Sequence, residues 1–154
     1  MSVKPIPDGC HSVTPYLIVD DAASAIAYYA KAFNAVETMR LPMGDKIGHA
    51  EIRVGDSAVM LADAMPDHGY KSPGAYGGTP VSLMVYVEDV DAMLQQAVDA
   101  GATIVRPIED QFYGDRTATI ADPSGHVWTL ATHIEDVSEE EIQKRMAAWT
   151  EKNC

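Results

Sequence analysis

From Val13 to Val19 apolar and polar positions alternate with period two, setting Val13, Leu17 and Val19 on one face and Thr14, Tyr16 and Ile18 on the other. Pro15 has no N–H to give, so one side of this strand is expected to be unpaired or bulged there. The period then lengthens. Ile26, Tyr29, Ala30 and Phe33 recur at helical spacing, with Asp20 or Asp21 as the cap and Asn34 as the stop. Strand-like segments resume at 36–41, 47–54 and 57–63.

The same order returns further along. A strand at 81–87 precedes a helix from Asp89 to about Ala100, with Val90, Leu94, Ala97 and Val98 on one side. Strands near 103–107, 116–121 and 126–132 follow, and 109–114 reads as a loop carrying Phe112 and Tyr113. The last two strands flank Asp122, Pro123, Ser124 and Gly125, a tight-turn sequence. Val54, Gly55 and Asp56 answer Ile120, Ala121 and Asp122, and Leu17 to Asp21 is echoed by Val85 to Asp89. The pattern predicts a duplicated module at 12–64 and 81–133 within a single domain spanning 1–154. Two copies are too few for a solenoid.

Between the modules, residues 65–80 are rich in glycine and proline and read as a linker, either a lid or contact surface or a plain connector. After them, Ser138 and Glu141 form a capping box that opens a short helix over 138–150. Its acidic first turn suits the helix dipole, and its face of Ile142, Met146 and Trp149 requires an apolar cover from this chain or a partner.

Bulk properties narrow the function. A formal net charge of −12 over 154 residues argues against nucleic acid and anionic membranes as partners. No apolar run reaches the length of about 20 residues that spans a bilayer. The first residues lack the apolar centre of a signal peptide. Cys10 and Cys154 have no metal-ligand spacing and predict free thiols in a cytoplasmic protein, a terminal disulfide being the other arrangement.

Paired βαβββ modules, the step from Val87 through Glu88 and Asp89 into a helix, and an Asp-Pro-x-Gly turn into the last strand resemble the vicinal oxygen chelate superfamily. That superfamily includes glyoxalase I, extradiol dioxygenases and bleomycin-resistance proteins. Tyr113 to Arg116 and Asp122 to Trp128 are similar to its PhnB-like, glyoxalase-like branch. The resemblance implies an α+β fold in which two βαβββ modules form a curved mixed sheet around a concave pocket. It assigns the family's metal-ligand positions to Thr14, Leu61, Ser82 and Thr129. Hydroxyls and an alkyl chain are poor ligands for a divalent ion, so no metal and no cofactor is expected there.

Other residues are candidates for chemistry. His49 and Glu51, two apart on a strand, share a face with Arg53. They suit a general base or a metal pair, with Asp63 as a third ligand, or else a solvated, salt-bridged strand face. The expected ligand-binding set is Thr14, Tyr16, Ser82, Met84, Tyr86, Tyr113, Arg116 and Thr129, an apolar and aromatic pocket with a few hydroxyls. Arg116 is either a clamp for a planar or anionic ligand or a member of an internal ion pair. His126 and His133 read as surface or hydrogen-bonding residues. Ile26, Tyr29, Phe33, Met60, Leu94 and Trp128 are the expected core.

The reading favours a homodimer that binds a small organic molecule without metal, in a sequestration or resistance role. The competing readings are an enzyme of lyase, isomerase or dioxygenase type using His49 and Glu51, and a structural or interaction protein. Whether the modules pair within one chain or between chains is open.

Overall fold

A computed structural model describes residues 2–154. The first module contains β1 (Tyr16–Val19), α1 (Ala22–Phe33), β2 (Val36–Met43), β3 (Lys46–Val54) and β4 (Ser57–Asp63). The second contains β5 (Ser82–Tyr86), α2 (Val90–Ala100), β6 (Thr103–Asp110), β7 (Asp115–Ala121) and β8 (Val127–His133), and α3 (Glu139–Asn153) follows. Each module makes its own four-stranded mixed sheet, ordered β1-β4-β3-β2 and β5-β8-β7-β6, in which the first and last strands run parallel.

Local chemistry starts and stops these elements. The side chains of Asp21 and Asp89 accept hydrogen bonds from Ser24 N and Ala92 N, and Ser138 does the same for Glu141 N. Asn34 ends α1 at φ 55°, a left-handed conformation that asparagine tolerates. Gly114, at φ +103°, passes so close to Glu135 that an added Cβ would lie 2.2 Å from its carbonyl oxygen. Gly114 O accepts from Ile134 N and Glu135 N, so the chain leaving β8 is tied to the β6–β7 loop. Arg145 of α3 forks onto Glu135 at 2.9 and 3.0 Å and donates to Phe112 O at 3.1 Å. That docks the helix.

α1, α2 and both sheets share one core. Leu17, Val19, Ile52, Val59 and Leu61 line the helix side of the first sheet, and Ile120, Trp128 and Leu130 line that of the second. Tyr29 and Phe33 of α1 meet Trp128 at ring-centroid distances of 5.4 and 4.9 Å. Asp122 fixes the junction: its carboxylate accepts from Tyr29 Oη at 2.5 Å and Trp128 Nε1 at 3.0 Å, and also from Ser124 N and His126 N. With α1 and α2 on this side, the opposite face of each sheet carries neither of them, and only the start of α3 reaches one end of the second sheet, where Ile142 lines a cavity with Tyr86 and His133. We refer to these two faces as open.

Several sequence expectations need correction. Regular strand begins at Tyr16 rather than Val13, which is exposed because Pro15 breaks the ladder, although Pro15 O still accepts from Met60 N at 2.9 Å. β6 runs to Asp110 through register shifts, shortening the expected loop. α3 extends to Asn153, and no side chain in it is buried; Trp149 reaches Phe112 at 6.4 Å yet stays half exposed. Met60 and Leu94 are only partly buried. Met60 pairs with Tyr16 and Glu51 and therefore faces the open side. The linker is folded. It makes 3₁₀ turns at Pro66–His68 and Pro73–Tyr76 and a bridge between Met65 and Tyr70. The buried Ser72 hydroxyl donates to Asp20.

Candidate functional site

On the open face of the first sheet, register places Tyr16, Met60 and Glu51 in one row and Ile18 and Ala62 in the next. Met39 pairs with Glu51 and Leu41 with His49, which adds two exposed apolar side chains from β2. Tyr16, His49 and Glu51 form a hydrogen-bonded chain, with Tyr16 Oη 2.8 Å from His49 Nδ1 and His49 Nε2 3.1 Å from Glu51 Oε1. An ionised carboxylate only accepts, so in the neutral imidazole Nε2–H donates to Glu51 and Nδ1 accepts the phenol proton. Burial, reinforced by Tyr70 and by the charge of Glu51, raises the Tyr16 pKa above the usual tyrosine value. The phenol therefore holds its proton and acts as a donor.

The open face of the second sheet is built on the same strands of its module. Ser82, Met84 and Tyr86 of β5 share it with Thr129 and Ala131 of β8 and with Thr117 and Thr119 of β7. Thr129 and Thr119 pair their hydroxyls at 3.1 Å, and Gln111 Nε2 donates to Thr117 at 3.0 Å. At one end lies a second cluster. The buried Asp115 accepts from Tyr86 Oη at 2.7 Å and meets His133 Nδ1 at 2.7 Å, while His133 Nε2 lies 2.8 Å from Asp136. The two carboxylates raise the His133 pKa, Asp115 first, and the hydrogen bond to Asp115 raises that of Tyr86. Tyr113 joins Tyr86, Asp115 and His133 around a cavity of about 550 Å³.

The linker adds a third wall. Lys71, Pro73, Tyr76 and residues 77–80 bound a cavity of about 700 Å³ against Tyr16, Ile18 and His126. The Lys71 ammonium sits 5.8 Å from the Tyr76 ring centroid. His126 Nε2 lies 2.7 Å from Ile18 O on the unpaired edge of β1, so this histidine has a structural partner. Gly125, at φ +91°, lets that turn pack on Pro73, which an added Cβ would approach to 3.2 Å.

Of the expected ligand-binding residues, the open faces gather Tyr16, Ser82, Met84, Tyr86 and Thr129, with Tyr113 at their edge. Thr14 lies before β1 and donates to His11 O at 3.0 Å. Arg116 turns to the helix side, where it pairs with Asp91 of α2 at 2.8 Å and Asp110 at 2.7 Å. It clamps nothing on the open face. Asp63 is likewise on the helix side. It is buried, accepting from Ala22 N and Ile47 N at 2.7 Å each, and cannot join His49 and Glu51. Leu61 pairs with Leu17 and is fully buried.

The four assigned positions therefore do not fit a divalent metal, with one residue outside the sheet, one in the core and two hydroxyls. Among the described residues, no three His, Cys, Asp or Glu side chains are grouped to hold one either. The Asp115–His133 cluster escaped the sequence reading. Strand parity carried part of the signal, because Thr129, Ala131 and His133 alternate onto one face, but Asp115 enters only through the β7–β8 pairing.

Comparisons with known proteins agree with this architecture. The family model of the Glyoxalase/Bleomycin resistance protein/Dioxygenase superfamily matches residues 10–130. An uncharacterized protein of Mycobacterium bovis is 48% identical over 141 residues, covering 89% of this chain and 93% of its own. An uncharacterized protein of Mycobacterium tuberculosis is equally similar, with 83% of its length covered. Among solved structures, TioX from Micromonospora sp. ML1 is 26% identical with a TM-score of 0.63, covering 83% of this chain and all of that one. Protein PA1353 from Pseudomonas aeruginosa shares the fold at a TM-score of 0.66 and 22% identity, over 81% of this chain and 99% of that one. The chain belongs to the glyoxalase/bleomycin resistance protein/dioxygenase superfamily.

Proposed function

We propose that this protein binds a small organic molecule on its open faces, without a metal, in a cavity closed by a second copy of the chain. One observation carries the reading. Tyr16, Met39, Leu41, Met84 and Tyr86 leave large apolar surfaces uncovered on the open faces of the two sheets. Side chains of this kind are ordinarily covered by a ligand or a partner. Two-fold association would set the open face of one copy's first sheet against that of the other copy's second sheet. The net charge of −12 favours a cationic or amphipathic planar ligand. Sequestration needs affinity alone and no reacting group.

A thermal-shift screen of planar cationic and neutral aromatic compounds, run beside sedimentation, tests this. The expected outcome is a dimer at tens of micromolar protein and a stabilising ligand that Tyr86→Ala weakens and His49→Ala does not. A monomer, or a ligand indifferent to Tyr86, would overturn it.

A second reading rests on the hydrogen-bonded chain Tyr16–His49–Glu51, which can pass a proton between a bound substrate and solvent. It makes the protein an acid/base enzyme on a small organic substrate. Turnover abolished by both His49→Ala and Glu51→Gln would favour this reading over sequestration.

A further inference from the structure

We propose that His133 works as a pH-operated clasp at the end of the second open face. As an imidazolium it ties Asp136, in the connector 134–138 between β8 and α3, to Asp115 of β7; as a neutral ring it lets Asp136 go and frees the connector from the mouth of the cavity beside Tyr86. Nδ1 lies 2.7 Å from Asp115 and Nε2 2.8 Å from Asp136. A carboxylate only accepts, so both contacts are hydrogen bonds only while both ring nitrogens carry protons. The clasp is a property of the fold and holds whether or not a ligand occupies the open faces.

The two ends of the clasp are unequal. Asp115 is buried and also takes the Tyr86 hydroxyl, whereas the Asp136 side chain is fully exposed and has no other hydrogen-bond partner among the described residues. The ring therefore keeps its Nδ1 proton on Asp115 and gives the Nε2 proton to solvent. Nε2 then turns a lone pair toward the Asp136 carboxylate, and attraction becomes repulsion. Little else holds the connector between its ends. Ile134 N and Glu135 N donate to Gly114 O, and Ser138 caps α3 at Glu141 N. Between these anchors Val137 rests on Gly114, where an added Cβ would meet Val137 Cγ2 at 3.0 Å. Asp136, Val137 and Ser138 wall the cavity opposite Tyr86, Tyr113 and Asp115. Glu88 and Arg53 line an adjoining groove with His133. Tyr86 donates to Asp115 and Arg53 to Asp56 O, and neither Glu88 nor Tyr113 bonds the ring, so Nε2 answers to Asp136. Asp115 first, then Asp136, raises the His133 pKa, so the clasp is closed at the ordinary histidine value of about 6.5 and opens as pH rises through the elevated one.

NMR of the full-length, methyl-labelled protein tests the clasp from about pH 5.5 to about pH 9, either side of the histidine range. Methyl protons do not exchange with water, so the connector stays visible throughout. The nuclear Overhauser contact between the Val137 methyls and Gly114 Hα should be strong at low pH and be lost as the His133 ring titrates. In Asp136→Ala it should be weak at every pH. Asp136→Asn separates hydrogen bonding from charge: its amide accepts from the charged ring and, turned over, donates to the neutral one, so the contact should persist at every pH. Both substitutions fall on a fully exposed side chain, which leaves the core untouched. The clasp is refuted if the wild-type contact survives above the His133 titration, if Asp136→Ala keeps the wild-type response, or if Asp136→Asn opens in step with wild type.

Discussion

The two modules share an element order and differ in what their helices bury. In α1, Ala22, Ala25, Ile26, Tyr28, Tyr29, Ala32 and Phe33 are all buried, whereas α2 buries only Val90 and Ala97. Both start on an aspartate cap, so the initiation chemistry is equal. The difference lies in side-chain reach. Tyr29 and Phe33 extend past their own sheet to Trp128 of the other module, while α2 presents Asp91, Gln95, Gln96 and Asp99. Gln96 turns its amide back to α1, donating to Lys31 O at 2.7 Å and Asn34 Oδ1 at 2.8 Å. Duplication fixed the scaffold, and divergence made one helix the centre of the molecule and the other its flank.

That asymmetry sets the scale of its own tests. Trp128→Ala should cost about 3–5 kcal/mol in urea unfolding, because it empties the shared core and leaves Asp122 without one donor. Leu94→Ala on α2, at a half-buried position, should cost about 1–2 kcal/mol. Equal losses would mean that the helices contribute alike. Asp63→Ala should cost about 2–4 kcal/mol by stranding Ala22 N and Ile47 N, with no effect on metal or ligand affinity.

Smaller effects separate the chemistry of the two open faces. His133 has a raised pKa, so its protonated form stabilises the fold. This contribution is fully present below the unfolded value of about 6.5 and is lost as pH rises through the elevated folded value. The melting-temperature gap between wild type and His133→Gln should therefore narrow from pH 6 to pH 9. A gap for His133→Gln that widens with pH would contradict the assignment. The smallest effect is expected from Arg116→Ala. Its ion pairs are solvent-facing, so stability should barely change in urea unfolding, and ligand affinity should not change.

The metal-ligand positions show how far a repeat carries. Leu61 and Thr129 are matched by the repeat but lie on opposite faces. In the first module Val54 pairs with Ser57, leaving a two-residue turn; in the second, Ala121 pairs with Val127, leaving the five residues 122–126. Turns that differ by an odd number of residues shift one strand by half a pleat period, and every side chain changes face. The aligned leucine therefore enters the core while the threonine stays on the open side.

The sequence by itself determined the element order, the starts of the helices at Asp20 or Asp21, at Asp89 and at Ser138, and most of the core around Tyr29, Phe33 and Trp128. These features are local, set by periods of 2 and 3.6 and by side chains bonding their own backbone. Tertiary structure alone decided that α1 and α2 lie on the same side and leave two apolar faces uncovered. It also decided that Arg116 and Asp63 turn away from the open faces, that the linker folds against β1, and that Asp115 meets His133. Each of these depends on partners distant in sequence, or on a register set by turn length. Periodicity ranks positions within one strand and carries no information about which strand lies beside it.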